Sequence, residues 1–375
     1  MVGVLVFILI LSFLVLIHEL GHFIAARRAG VVVHEFGLGY PPKALTLFTW
    51  KGTDFTLNYI PFGGFVRLAG EDLSLEEKQA LEADKKTKGQ FFQASTLNKL
   101  YIILAGATVN MLFGILAFSV VFSNMGIPEP IDTARIGMIS PDSPAAAAGI
   151  PEQVEIREIR IGEDSYAVGS TQEAVEVISA HPGSEAQLVT SGVCDGYTCA
   201  EEQQTFAVYF RTESETPAGQ GSLGIAFDPV TFVKYPWWQM PVKSSWYGIQ
   251  QAVFLGQEII FALGRLGQDV GSGQVPQDLA GPVGIVHQAS SAGILSEGWL
   301  MLLSFAGMLS VNLAIMNVLP IPPLDGGRAV FILLEKVFAK KKIAKLEYYL
   351  NYSGYLLLLG LIVFVTIQDV ARIVK

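Results

Sequence analysis

Charge is scarce in this sequence. Of its 375 residues only 16% are Asp, Glu, Lys or Arg, while 51% are hydrophobic, a balance too apolar for an ordinary soluble enzyme of this length. No basic residue precedes the first apolar run. A cleaved signal peptide carries a positive leader there, so residues 2–26 read as a membrane helix instead. Basic residues are also few between positions 126 and 296, seven against twenty acidic ones, and that net of −13 exceeds the −9 of the whole chain. Phosphate binding needs the opposite sign, which argues against nucleic acid as a partner. Cysteine is nearly missing too, with Cys194 and Cys199 the only two. They bracket Asp195-Gly196, a hairpin-turn signal, so a small disulfide across a hairpin and a pair of free thiols both stay open.

What is present is a set of long apolar runs. A helix needs roughly 20 predominantly apolar residues to cross the hydrocarbon core. Four stretches qualify, at 2–26, 100–125, 299–319 and 352–370. Basic residues gather on the cytoplasmic side of a membrane. Ten of the 25 fall at 27–99 and six at 328–345, so both of these connections are expected inside. Both termini and the acidic insert are then expected outside.

The expected class is a multi-span α-helical membrane protein of four transmembrane helices, a membrane-associated β-hairpin and one extramembrane α+β domain. Positions 31–33 and 55–68 cluster β-favouring residues with glycines and suggest a hairpin against or into the membrane, within 31–72. Residues 73–99 read as a cytoplasmic linker with a helical stretch at 73–88. The insert shows strand-like runs at 154–161, 186–191 and 205–211 and a helix-like run at 171–179, enough for one domain over 128–232. The amphipathic stretch 246–266 holds Gln250, Gln251, Gln257, Glu258 and Arg265. Those groups make spanning costly, so an interfacial helix followed by a loop is expected over 240–296. The third span with its polar end occupies 297–327, a cytoplasmic connection 328–351, and the last span 352–372.

Within the first span stands His18-Glu-Leu-Gly-His22. Imidazoles four residues apart share one helical face and can bind one zinc ion, with Glu19 beside the metal as general base. Zinc lowers the pKa of a bound water, and a neighbouring carboxylate takes its proton and passes it to the leaving amine. Three ionisable groups within five residues of an otherwise uncharged span are functional by default. A catalytic zinc site has three protein ligands and an open position, so a third is owed, and Asp325 is the candidate. It ends the run Asn317-Val-Leu-Pro-Ile-Pro-Pro-Leu-Asp325-Gly-Gly. Pro320, Pro322 and Pro323 cannot continue a helix. The unwound stretch could hold an extended substrate, helped by Asn312 and Asn317, with the hairpin edge adding a strand. His34, His181 and His287 have no partner at ligand spacing. A metal transporter and a catalytically inactive membrane scaffold are the competing readings.

These residues resemble the bacterial site-2 proteases, of the RseP-like, regulator of sigma-E type. The likeness rests on His18-Glu-Leu-Gly-His-Phe-Ile-Ala-Ala-Arg27, Gly37-Leu-Gly39, Pro61-Phe-Gly-Gly64, Ala105-Gly106 with Asn110, Gly281-Pro-Val-Gly284, and the Asn317 to Gly327 run. The resemblance implies zinc on His18, His22 and Asp325, Glu19 as catalytic base, and Asn312, Asn317, Pro320 and Pro322 holding substrate. It also implies a membrane-reentrant β-structure over about residues 31 to 70, and a PDZ domain whose signature is the stretch beginning at Ile136. The expected partners are the lipid bilayer and single-span membrane proteins, anti-sigma factors or signal-peptide remnants. The expected location is a bacterial inner membrane. Three features depart from the family pattern: there is room for one PDZ domain rather than two, Glu152-Gln153 replaces the usual Gly-Asp, and Ala107 replaces the usual Pro.

Overall fold

The computed structural model describes residues 2–71, 88–271, 281–295 and 298–374. It divides into two compact units, Met1–Val121 with Ser245–Lys375, and Phe122–Ser244. Each is taken by itself below.

The chain opens with α1 (Val2–Arg28), which has no proline and no acidic or basic residue before Glu19. Its backbone ladder is therefore uninterrupted, as lipid requires, since nothing else there can satisfy a peptide group. Gly30, at φ 75°, follows its end in the left-handed conformation. Strands β1 (Val33–Trp50) and β2 (Thr53–Leu68) then form one antiparallel hairpin. Lys51 and Gly52 close it with φ of 49° and 79°, a two-residue turn whose twist matches the strands. The first strand is far longer than the sequence suggested. It runs on through Pro41-Pro42, and the pairing slips repeatedly between Glu35 and Phe48; such slips bend a ribbon. The hairpin packs on α1 through Phe23, whose ring lies 5.6 Å from Phe36 and 5.7 Å from Phe55. Of the expected linker at 73–99, positions 73–87 lie outside the described residues.

Helix α2 (Thr96–Met125) crosses α1 at glycines. A Cβ on Gly21 would stand 2.6 Å from the Ala105 carbonyl oxygen and 2.9 Å from Gly106 Cα. Bare backbone on both helices is what allows this approach.

The second unit begins at β3 (Ile127–Pro130) and β4 (Arg135–Ile139), continues with the short α3 (Pro144–Ala147), β5 (Val154–Ile161), β6 (Asp164–Ala167) and α4 (Thr171–Ala180). It is completed by β7 (Glu185–Thr190), β8 (Cys194–Asp195), β9 (Thr198–Cys199), β10 (Gln204–Tyr209), β11 (Ile225–Phe227) and β12 (Val230–Val233). The main sheet runs β10-β7-β5-β4-β11, with β6 on β5, and β12 pairs with β3. Ser143 and Ser170 start the two helices by accepting the Ala146 and Glu173 amides, the usual N-cap bond. Ile136, Ile156, Ile159, Leu188 and Phe210 are buried in its core together with Ile178 of α4. Beneath it Arg135, 2% exposed, pairs with Glu155 at 2.9 Å. Cys194 and Cys199 are joined across the β8–β9 hairpin, which settles the choice left open by the sequence.

The chain then returns as α5 (Met240–Gly271), which contains the expected amphipathic stretch and extends it at both ends. It lies against α2 at Gly248, where a Cβ would meet the Ile115 carbonyl oxygen at 2.9 Å. Positions 272–280 of the expected loop lie outside the described residues. Helix α6 (Pro282–Ser291) precedes α7 (Trp299–Val318), α8 (Asp325–Leu334) and α9 (Lys340–Val374). Phe7 and Leu14 of α1, Ala289 of α6, and Phe305 and Leu309 of α7 share one buried cluster. Among the described residues four helices are long and apolar enough to cross a membrane: Gly3–Arg28, Thr96–Met125, Trp299–Val318 and Lys342–Arg372. The four expected runs each fall on one of them.

Candidate metal centre

His18 and His22 stand one turn apart on α1, and the imidazoles meet edge to face at 4.7 Å. The third group arrives from the other end of the chain. Three prolines stop α7, and the segment after it doubles back because Gly326 and Gly327 carry no side chain. A Cβ on Gly326 would collide with the Val318 and Leu319 carbonyls, and one on Gly327 would lie 2.8 Å from the Ile321 oxygen. The reversal puts Asp325 at the first position of α8, where an acid is also favoured by the helix dipole.

Three donor atoms then converge. His18 Nε2 and Asp325 Oδ2 are 3.1 Å apart, His22 Nε2 and Asp325 Oδ2 3.3 Å, and the two Nε2 atoms 3.1 Å. Ligands on one tetrahedral ion with bonds of about 2.0 to 2.2 Å are separated by roughly 3.3 to 3.6 Å, so these atoms lie within a few tenths of an ångström of the spacing a shared zinc needs. Space is reserved as well. A Cβ on Gly106 would stand 2.5 Å from His22 Nε2 and 2.7 Å from His18 Nε2, so only glycine leaves room for both rings.

Glu19 lines two cavities that flank the cluster. One, of about 220 Å³, is also walled by Tyr40, Gly64, Glu71 and Arg328; the other, of about 320 Å³, by Tyr40, Asn110, Asn317 and Pro323. Of the four residues expected to hold substrate, Asn317 faces the second cavity beside His18 and Glu19. Asn312 and Pro320 are exposed and Pro322 is half-buried. The hairpin comes close here: a Cβ on Gly64 would lie 2.8 Å from Leu16 and 3.8 Å from Glu19 Cγ.

A model of peptidase family M50 matches residues 6–361. The chain belongs to that family. An M50-sized likeness also runs through its relatives. A protein of Campylobacter jejuni is 30% identical over 98% of this chain and 93% of its own. The zinc metalloprotease RasP of Oceanobacillus iheyensis is 29% identical over the full length of both, and that of Geobacillus kaustophilus 28% identical over 98% and 97%. In this M50 peptidase, a membrane protein by its apolar helices, several residues of the site were not picked out by sequence reasoning. Tyr40 lies beside the Gly37-Leu-Gly39 element without standing out from it. Arg328 pairs with Glu71 at 2.6 Å and ties α8 to the end of the hairpin; one turn beyond Asp325, its position was the only available signal.

Proposed function

We propose that this M50 peptidase is an intramembrane zinc metalloprotease that hydrolyses peptide bonds within transmembrane segments of single-span membrane proteins. The observation that carries the reading is the meeting of His18, His22 and Asp325 at ligand spacing on two apolar helical segments, with Glu19 in the adjoining cavity. His18, His22 and Asp325 would hold zinc, which supplies positive charge that acidifies water and polarises a carbonyl. Glu19 takes the proton of the attacking water and delivers it to the leaving amine.

A substrate helix hides its scissile bonds in its own hydrogen bonds, so it must be opened before it is cut. Asn317 and the non-helical stretch with Pro320 and Pro322 receive the opened backbone, and Asn312 binds substrate further along α7. The hairpin, associated with the membrane, offers the β2 edge near Gly64 as a template for an added strand. The second unit is PDZ-like and lies outside a bacterial inner membrane, as do both termini. There it screens the substrates, leftover signal peptides or shortened anti-sigma factors.

Glu19→Gln keeps all three metal ligands. In a co-expressed reporter with a single span, it is expected to abolish cleavage while zinc content by atomic absorption stays at one per chain. Undiminished cleavage by this variant overturns the assignment.

A further inference from the structure

Both metal-facing imidazoles turn their far nitrogen towards α2. For His22 the partner is plain: Nδ1 donates to the Ile102 carbonyl oxygen at 2.8 Å. That bond puts the ring proton on Nδ1 and leaves the Nε2 lone pair for a metal. For His18 the partner is Asn110, whose Nδ2 lies 3.4 Å from Nδ1. Asn110 is fully buried, and its Oδ1 has no hydrogen-bond partner. An orphaned acceptor at zero exposure is costly.

The amide can face His18 in two ways, related by a half-turn that exchanges oxygen and nitrogen. With Nδ2 on the ring, Nδ1 must be the bare nitrogen, the proton sits on Nε2, and His18 cannot bind metal through it. With Oδ1 on the ring, Nδ1 carries the proton, Nε2 is free and the oxygen gains a donor, while Nδ2 takes the place the oxygen held, so it is the need for a free Nε2 that decides between the two. The Ser310 hydroxyl donates to the backbone carbonyl of Asn110 at 2.8 Å and fixes this turn of α2 against α7.

We propose that Asn110 is a positioning residue for the metal site: its Oδ1 accepts the Nδ1 proton of His18 and so selects the tautomer that presents Nε2 to zinc. The inference rests on the metal-site reading above. Ile102, Gly106 and Asn110 are spaced by four residues and therefore form one stripe of α2. The first orients His22, the second clears space for both rings, and the third orients His18.

The test uses the full chain in detergent, loaded with zinc, and measures zinc loss to a chromogenic chelator together with ¹⁵N spectra of labelled histidine. Aspartate accepts and cannot donate, whereas leucine does neither. Asn110→Asp is expected to hold zinc within about threefold of wild type, and Asn110→Leu to lose it roughly 10- to 100-fold more readily, the range seen for such outer partners. The zinc-loaded wild type should show a slowly exchanging Nδ1 proton on His18, kept in Asn110→Asp and lost in Asn110→Leu. Equal zinc retention in wild type and Asn110→Leu overturns the inference, as does a variant Asn110→Asp that is as weak as Asn110→Leu while metal-free samples unfold at the same temperature. Wild type that holds no zinc, or holds it equally well after His18→Ala, overturns the metal reading itself.

Discussion

At the scale of single residues, the site depends on an atom that is not there. Gly106 faces both Nε2 atoms with nothing but its backbone, and the smallest addition enters the volume where the ligands meet. Gly106→Ala should therefore lower zinc affinity by at least tenfold, although alanine is the better helix former by about 1 kcal/mol. Zinc content after dialysis against a weak chelator checks this, and full occupancy would contradict it. The His-Glu-x-x-His pattern was legible because it is local: one helical turn carries it. Asp325 was legible because a zinc site with two histidines lacks a third ligand. Asn110 and Gly106 were visible in the sequence only as parts of a family pattern. Their roles depend on helices crossing 80 and 92 positions apart, between His22 and Ile102 and between His18 and Asn110, a distance over which periodicity carries no information.

At the scale of elements, helices proved easier to read than strands. Apolar runs of 20 residues mark the candidate spans whatever their surroundings, and the predicted stretches fall on the four helices that are both long and apolar enough to cross a membrane. The first hairpin strand was largely missed because Pro41 and Pro42 argue against a strand and because residues 40–50 do not alternate. The partner strand, irregularly paired, overrides both signals. A tie between helices was equally hidden. Asp369, 3% exposed on α9, accepts the amides of Gly281 at 3.2 Å and Gly284 at 2.7 Å and so caps the start of α6. The two glycines let the carboxylate in, since a Cβ at either would lie 2.7 Å from an Asp369 oxygen. Asp369→Ala should cost about 1 to 2 kcal/mol locally. Amide exchange at residues 281–291 is then expected to speed up roughly tenfold, while exchange within α2 is unchanged. Uniform acceleration of both would show a global effect instead.

At the scale of the whole molecule, charge is segregated along the chain. The insert at 126–296 carries nearly three acidic residues for every basic one, and the connections on either side hold sixteen of the 25 basic residues. The orientation proposed above rests on that bias. In inside-out vesicles, protease added from outside should cut residues 73–88 and 336–345 and spare residues 122–244; the reverse pattern would overturn the orientation proposed. Net acidity of the insert also repels strongly acidic proteins within a Debye length of about 8 Å at physiological salt.

His18 and Asp325 are separated by 307 positions. During synthesis, α1 enters the membrane with both imidazoles and Glu19 already in place, yet the carboxylate that completes the trio is translated only when most of the chain has been made. On the metal-site reading proposed above, a nascent or truncated chain ending before Asp325 holds two ligands of three and is a disarmed peptidase, so that completion of the polypeptide acts as the safety catch.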